Sequence, residues 1–85
     1  MLLLHLDIDE QEILDFHKVI AGNVKKIRKK KKVSQTDLAL SIGHKSVSIV
    51  SKIEAGLESK HYNIEQLYKI SKVLEVDIKE FFNFE

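Results

Sequence analysis

Between Ser34 and Gly56 the chain reads SQTDLALSIGHKSVSIVSKIEAG, and the placing of its glycines restricts what this stretch can become. Gly43 follows a run in which Leu38, Ala39 and Ile42 recur at helical spacing. Gly56 follows a second run, with Ile49, Val50 and Ile53 at i, i+1 and i+4. The residue just past a helix commonly takes a left-handed conformation, which costs a residue with a side chain about 1–2 kcal/mol and glycine almost nothing. Ser34 is placed to cap the first run, with Asp37 three residues on in the capping-box position. Lys45 or Ser46 opens the second. Two short helices joined by a glycine-containing turn are therefore predicted, the second over about 46–55. Gly22 is the one remaining glycine and there is no proline, so helices elsewhere can run with few interruptions.

The flanks carry the same period. Asp9 can cap a long first helix, with Glu12 three residues on, and Ile13, Leu14, Phe16, Ile20, Val24 and Ile27 form its apolar stripe. Gly22 is a point where this helix can bend or split, and the helix is expected to close near Lys32. After the loop LESKHY, Asn63 with Gln66 caps a fourth helix whose inner stripe is Ile64, Leu67, Ile70, Val73 and Leu74. Glu75 stands where a glycine C-cap would cost less, and Asp77 caps a last short helix carrying Phe81 and Phe82. Five helices with short connections predict an all-α bundle in a single domain, 1–85. Within it, 1–20 is an N-terminal extension suited to a dimerisation arm and 21–82 the core. Leu2 to Ile8 partly alternates and suggests a short strand. A strand cannot stand alone, so its simplest partner is the same segment of a second chain.

Composition narrows the functions. With 85 residues and no cysteine there is neither a disulfide framework nor a thiolate metal site, which fits a reducing cytoplasm. No apolar run approaches about 18 residues, so no membrane span is expected, and MLLLHLDIDE lacks a basic leader and a small-residue cleavage site. His5, His17, His44 and His61 show no metal-ligand spacing, and the carboxylates of residues 7–15 read as a solvated acidic face. No nucleophile or paired acid stands at usable spacing, so neither an enzyme nor a metal or cofactor is expected.

Net charge is only +1, but it is segregated. Residues 1–17 hold five acids and no Lys or Arg, residues 18–60 hold eleven bases against three acids, and residues 61–85 hold three bases against five acids. Seven of the ten residues from 24 to 33 are basic. A basic middle between acidic ends is the footprint of an anion-binding face, although cations also suit the C-terminal end of any helix.

VKKIRKKKKVSQTDLALSIG followed by VSKIEAG resembles the lambda-repressor-like, Cro/repressor or xenobiotic-response-element type of helix-turn-helix DNA-binding family. The matching positions are Arg28, Ser34-Gln35, Leu38-Ala39, Gly43 and Ser51 to Gly56, and IEQLYKISKVLEVDIKEFF is similar to the family's last two helices. The turn is one residue longer than the family's usual one, which leaves the start of the second helix ambiguous at HKS.

The resemblance implies double-stranded DNA as partner and the second helix of the pair as the reader of the major groove. With Ile49, Val50 and Ile53 turned inward, Val47, Ser48, Ser51 and Lys52 make its outer face, and Lys45 and Ser46 lie at its start. This face has no Asn, Gln or Arg, so modest base readout is expected, with more weight on phosphates and DNA shape. Gln35 resembles the family's phosphate-contacting glutamine, and Arg28 with Glu54 resembles a structural pair that orients the recognition helix. Lys60, with Ser59 and His61, is a further phosphate candidate. Phe81, Phe82 and Phe84 are too many for solvent, so some are expected to close the core and the rest to meet another chain.

The expected function is a small bacterial-type transcriptional regulator, acting as a homodimer on a pseudo-palindromic operator, of which a restriction–modification controller is a narrower version. The alternative is an antitoxin whose acidic, apolar N-terminal arm covers a basic toxin and which also binds its own promoter. No ligand-binding or self-cleaving segment is expected to follow, so no small-molecule inducer is expected.

Overall fold

The computed structural model describes residues 7–85. Four α-helices follow in order: α1 (Glu10–Lys30), α2 (Gln35–Ser41), α3 (Ser48–Ala55) and α4 (Ile64–Leu74). A 3-10 turn, Ile78–Phe82, closes the chain. There is no strand among the described residues. The expected fifth helix is thus a 3-10 turn. Asp77 caps it by accepting from Lys79 N–H, and five residues leave little room for i→i−4 hydrogen bonds. The suggested strand at Leu2 to Ile8 falls mostly outside the described residues, and Asp7 and Ile8 belong to neither helix nor strand.

Caps set most boundaries. The Asp9 carboxylate accepts from Gln11 N–H at 3.1 Å, while Glu12 N–H goes to the Asp9 backbone carbonyl at 3.0 Å, so the expected side-chain pairing with Glu12 does not form. Ser34 accepts from Asp37 N–H at 3.0 Å. Asn63 and Gln66 form a complete capping box. Glu75 ends α4 at φ +58°, the left-handed conformation that glycine takes more readily. α1 ends two residues before the expected Lys32. Lys32 itself takes φ +61°, and Val33 N–H returns to the Arg28 carbonyl at 3.0 Å, turning the chain into α2. Gly22 neither splits α1 nor stops it, and the helix runs unbroken for 21 residues.

The core is assembled from every element. Val24 of α1, Leu38 of α2, Val50 of α3, Ile70 and Leu74 of α4, and Phe81 of the final turn are all fully buried. α1 packs on α3 and the final turn, while α2 packs on α3 and α4. Each such side chain contributes about 1.5–3 kcal/mol relative to exposure.

Four residues placed on inner stripes lie outside. Ile13 is 47% exposed and Phe16 46%, because the first turns of α1 extend past the elements that cover Ile20 and Val24. On α4 the buried set is Leu67, Ile70, Ser71 and Leu74. Ser71 fits there because its hydroxyl donates to the Tyr68 carbonyl at 2.6 Å. Ile64, 69% exposed, and Val73 are left outward. Of the three C-terminal phenylalanines, Phe81 is buried, Phe82 half-buried, and Phe84 stacks on Phe16 with ring centroids 5.1 Å apart.

Candidate nucleic-acid interface

α2 stops at a left-handed glycine: Gly43 has φ +90°, and His44 N–H reaches back to the Ala39 carbonyl at 2.9 Å. Lys45 to Val47 form a turn, and α3 begins at Ser48, two residues later than expected. The reason is local. Ser46 stays outside the helix and uses its hydroxyl to accept from Ser48 N–H at 3.1 Å. At the other end, Gly56 takes φ +72° and Leu57 N–H bonds to the Lys52 carbonyl at 2.9 Å.

Val50 and Ile53 seat α3 in the core, with Ile49 partly buried against it. Lys45, Ser46, Val47, Ser48 and Ser51 are exposed. Lys52 is half-buried, and its ammonium lies 3.1 Å from Glu58 Oε2. Glu58 sits just past Gly56 with φ +57°. Nothing in the spacing of the sequence marked it as a partner for Lys52. Such an exposed pair is worth about 0–1 kcal/mol, so an incoming phosphate or base edge competes with it readily.

The base of α3 is held by a buried polar network. Arg28 donates through Nε to Glu54 Oε2 at 2.7 Å and through Nη2 to Glu54 Oε1 at 2.9 Å, a two-pronged pair whose side chains are 8% and 3% exposed. Arg28 Nη1 also donates to the Val33 carbonyl at 2.8 Å, tying in the turn before α2. Gln35 Nε2 donates to Glu54 Oε1 at 2.9 Å. One carboxylate thus joins the end of α1, the start of α2 and the last turn of α3. Burial opposes its ionisation, but the hydrogen bonds from Arg28 and Gln35 and the charges of Arg28 and Lys25 outweigh burial and hold Glu54 below its usual carboxyl range. Tyr62 is buried beside this network. Desolvation, reinforced by the Glu54 charge, pushes its phenol well above the ordinary value, and its hydroxyl has no hydrogen-bond partner among the described residues.

Gln35, expected at a phosphate, therefore has one amide hydrogen committed to Glu54 and a second left to donate. Lys60 and Ser59 lie elsewhere, with Gln11, Lys18 and Gly56 around a groove between α1 and the end of α3. His61, the third residue of that loop, stacks on His17 with centroids 3.7 Å apart and planes 7° from parallel. The structure thus groups residues 45–52 along the entrance and outer face of α3 and places 59–61 beside α1. Among the described residues, no group of three His, Cys, Asp or Glu side chains is arranged to hold a metal ion. No described helix is long and apolar enough to cross a membrane.

A family model described as helix-turn-helix, HTH_3, matches residues 24–81. The chain belongs to this helix-turn-helix family. Its fold is similar to the crystal structure of an HTH_3 family transcriptional regulator from Vibrio cholerae, with 30% sequence identity and a TM-score of 0.67. That match covers 81% of this chain and 37% of the other, so this chain spans little more than a third of its neighbour's length. No curated protein matches significantly. The helix-turn-helix match takes in α2, α3 and α4 whole, and α1 starts fourteen residues before it, at Glu10.

Proposed function

We propose that this helix-turn-helix protein is a transcriptional regulator that binds double-stranded DNA sequence-specifically, with α3 in the major groove. The observation that carries the reading is the build of α3. It has an outer face of small polar and cationic side chains, and an inner end anchored by the Arg28–Glu54–Gln35 network. A reading helix must hold its angle to the groove, and a two-pronged Arg–carboxylate pair joined to two other helices provides that.

Lys52 donates to guanine O6/N7 or to a phosphate once it leaves Glu58, Ser48 and Ser51 donate or accept at base edges, and Val47 meets a thymine methyl. Lys45 and Ser46 contact phosphate at the entrance of α3. Gln35 donates its second amide hydrogen to a phosphate while Glu54 holds the first. Lys60 supplies a flanking backbone contact. Arg28 and Glu54 set the orientation of α3 and touch no base. Two copies bind a pseudo-palindromic operator, their α3 helices entering major grooves about 34 Å apart.

A gel-shift titration with selected DNA tests this. Lys52→Ala should lower affinity with the helical circular dichroism unchanged, and if Lys52 sits on a phosphate the salt dependence should weaken by about one counterion. Absence of binding to any duplex at low salt would refute the reading.

A further inference from the structure

We infer that the outward face of α1 is an interface for a second copy of this chain, the two helices lying antiparallel and crossing at Val19. This deepens the homodimer reading above by naming its surface. Ile20, Ala21, Val24 and Arg28 turn one side of α1 into the body. Glu12, Asp15, Val19, Gly22 and Lys26 recur every three or four residues on the opposite side, and all are exposed. Val19, at the middle of this face, is 38% exposed. A Cβ built at Gly22 would meet nothing within 4 Å, so this part of the helix presents bare backbone.

The face is acidic at its start and basic at its end, which selects both the partner and the direction. In an antiparallel pair centred on Val19, Glu12 of each copy comes opposite Lys26 of the other. The two Val19 side chains meet on the two-fold axis, and the bare backbone at Gly22 lets the helices approach beside them. The helix dipoles also oppose. A parallel pair would set Glu12 against Glu12 and Lys26 against Lys26. A uniformly basic partner would suit Glu12 and Asp15 but repel Lys26. Among the described residues, neither Glu12 nor Lys26 belongs to an ion pair within the chain. A seam of a few helical turns falls short of the roughly 800 Å² per partner of a standard interface. Self-association is therefore weak in free solution and completed when DNA holds two copies side by side.

The absence of native cysteine makes the test clean. Under mild oxidation, Val19→Cys should form a disulfide-linked dimer about tenfold faster than Lys72→Cys, an exposed control on α4, because the axis raises the effective concentration of its thiols. Adding E12K should bring Val19→Cys down to the control rate, and the E12K/K26E double swap should restore it. Equal rates for the two cysteines, or no recovery in the double swap, would overturn the inference. If light scattering or gel shift still showed a dimer in that case, a different surface would be in use and the dimer reading would stand. A single copy in solution and on DNA would remove both. All the substituted positions are exposed, and circular dichroism verifies that the variants keep their helices.

Discussion

The first turns of α1 and the α2–turn–α3 unit are both helical, for different reasons. Glu10 to Val19 has a cap, a strong apolar period and eleven further residues of helix behind it, yet Ile13, Phe16 and Val19 remain exposed. α2 and α3 have seven and eight residues, well below the length of about 12–15 at which an isolated helix becomes even marginal in water. They exist because Leu38, Ala39, Val50 and Ile53 are buried and because Glu54 ties them to α1. A helix can thus form without owning a place in the core, and a place in the core can sustain helices that would not form alone.

The largest expected difference between the regions comes from the buried pair. Glu54→Ala leaves the Arg28 guanidinium buried and uncompensated, a loss of about 3–5 kcal/mol in chemical unfolding. At the other end of α1, Glu12→Ala, on the open face, should stay within about 0.5 kcal/mol. Glu54 also predicts an acid limb. Its folded pKa lies below the ordinary value near 4.5, so the unfolded chain takes up the proton first. Its contribution is complete above that value and is lost as pH falls through the lower folded one. A Glu54→Gln variant with the same acid unfolding profile would break this account.

Next come the apolar residues. Leu38→Ala should cost about 2–5 kcal/mol through the cavity it leaves. Ile13→Ala, at half-exposed surface, should be nearly silent in the isolated chain. If Ile13→Ala proved as damaging as Leu38→Ala, the start of α1 would have a core partner and the contrast would fail. Gly43→Ala, forced to φ +90°, should lose about 1–2 kcal/mol, measured as a lower thermal midpoint.

The smallest effect concerns the contact between the first turns of α1 and the loop that follows α3. His17 is held below its ordinary value near 6.5, first by burial and then by the charge of His61 stacked on it. The unfolded chain therefore binds that proton more readily, and stability should decline slightly as pH drops below about 6.5. Removing the imidazole in His17→Gln should flatten that slope.

Much of the backbone was readable from single residues. Ser34, Asn63 and Asp77 cap the helices they precede, and Gly43 and Gly56 end theirs in left-handed conformations, because capping depends on neighbours within four residues. The start of α3 was not readable, since Lys45 and Ser46 suit a first turn as well as a turn before it. The choice fell to the Ser46 hydroxyl bonding forward to Ser48. Side-chain partners were harder still. Arg28 with Glu54 was suggested only by family resemblance, Gln35 was expected at phosphate and its bond to Glu54 was not foreseen, and Glu58 and Tyr62 carried no signal. Those contacts join residues up to 26 positions apart, beyond any local period.

By itself, then, the sequence determined most of the helix caps and how charge is distributed along the chain, because those depend on short-range backbone chemistry and composition. Only the tertiary structure decided which apolar stripes are covered. Periodicity states that Ile13, Ile64 and Val73 could face inward, but burial requires another element opposite, and the packing of α1 to α4 supplies one for Ile20, Ile70 and Leu74 and not for them. The tertiary structure also brought Arg28, Gln35 and Glu54 to one buried carboxylate, an arrangement that depends on three helices meeting at a point.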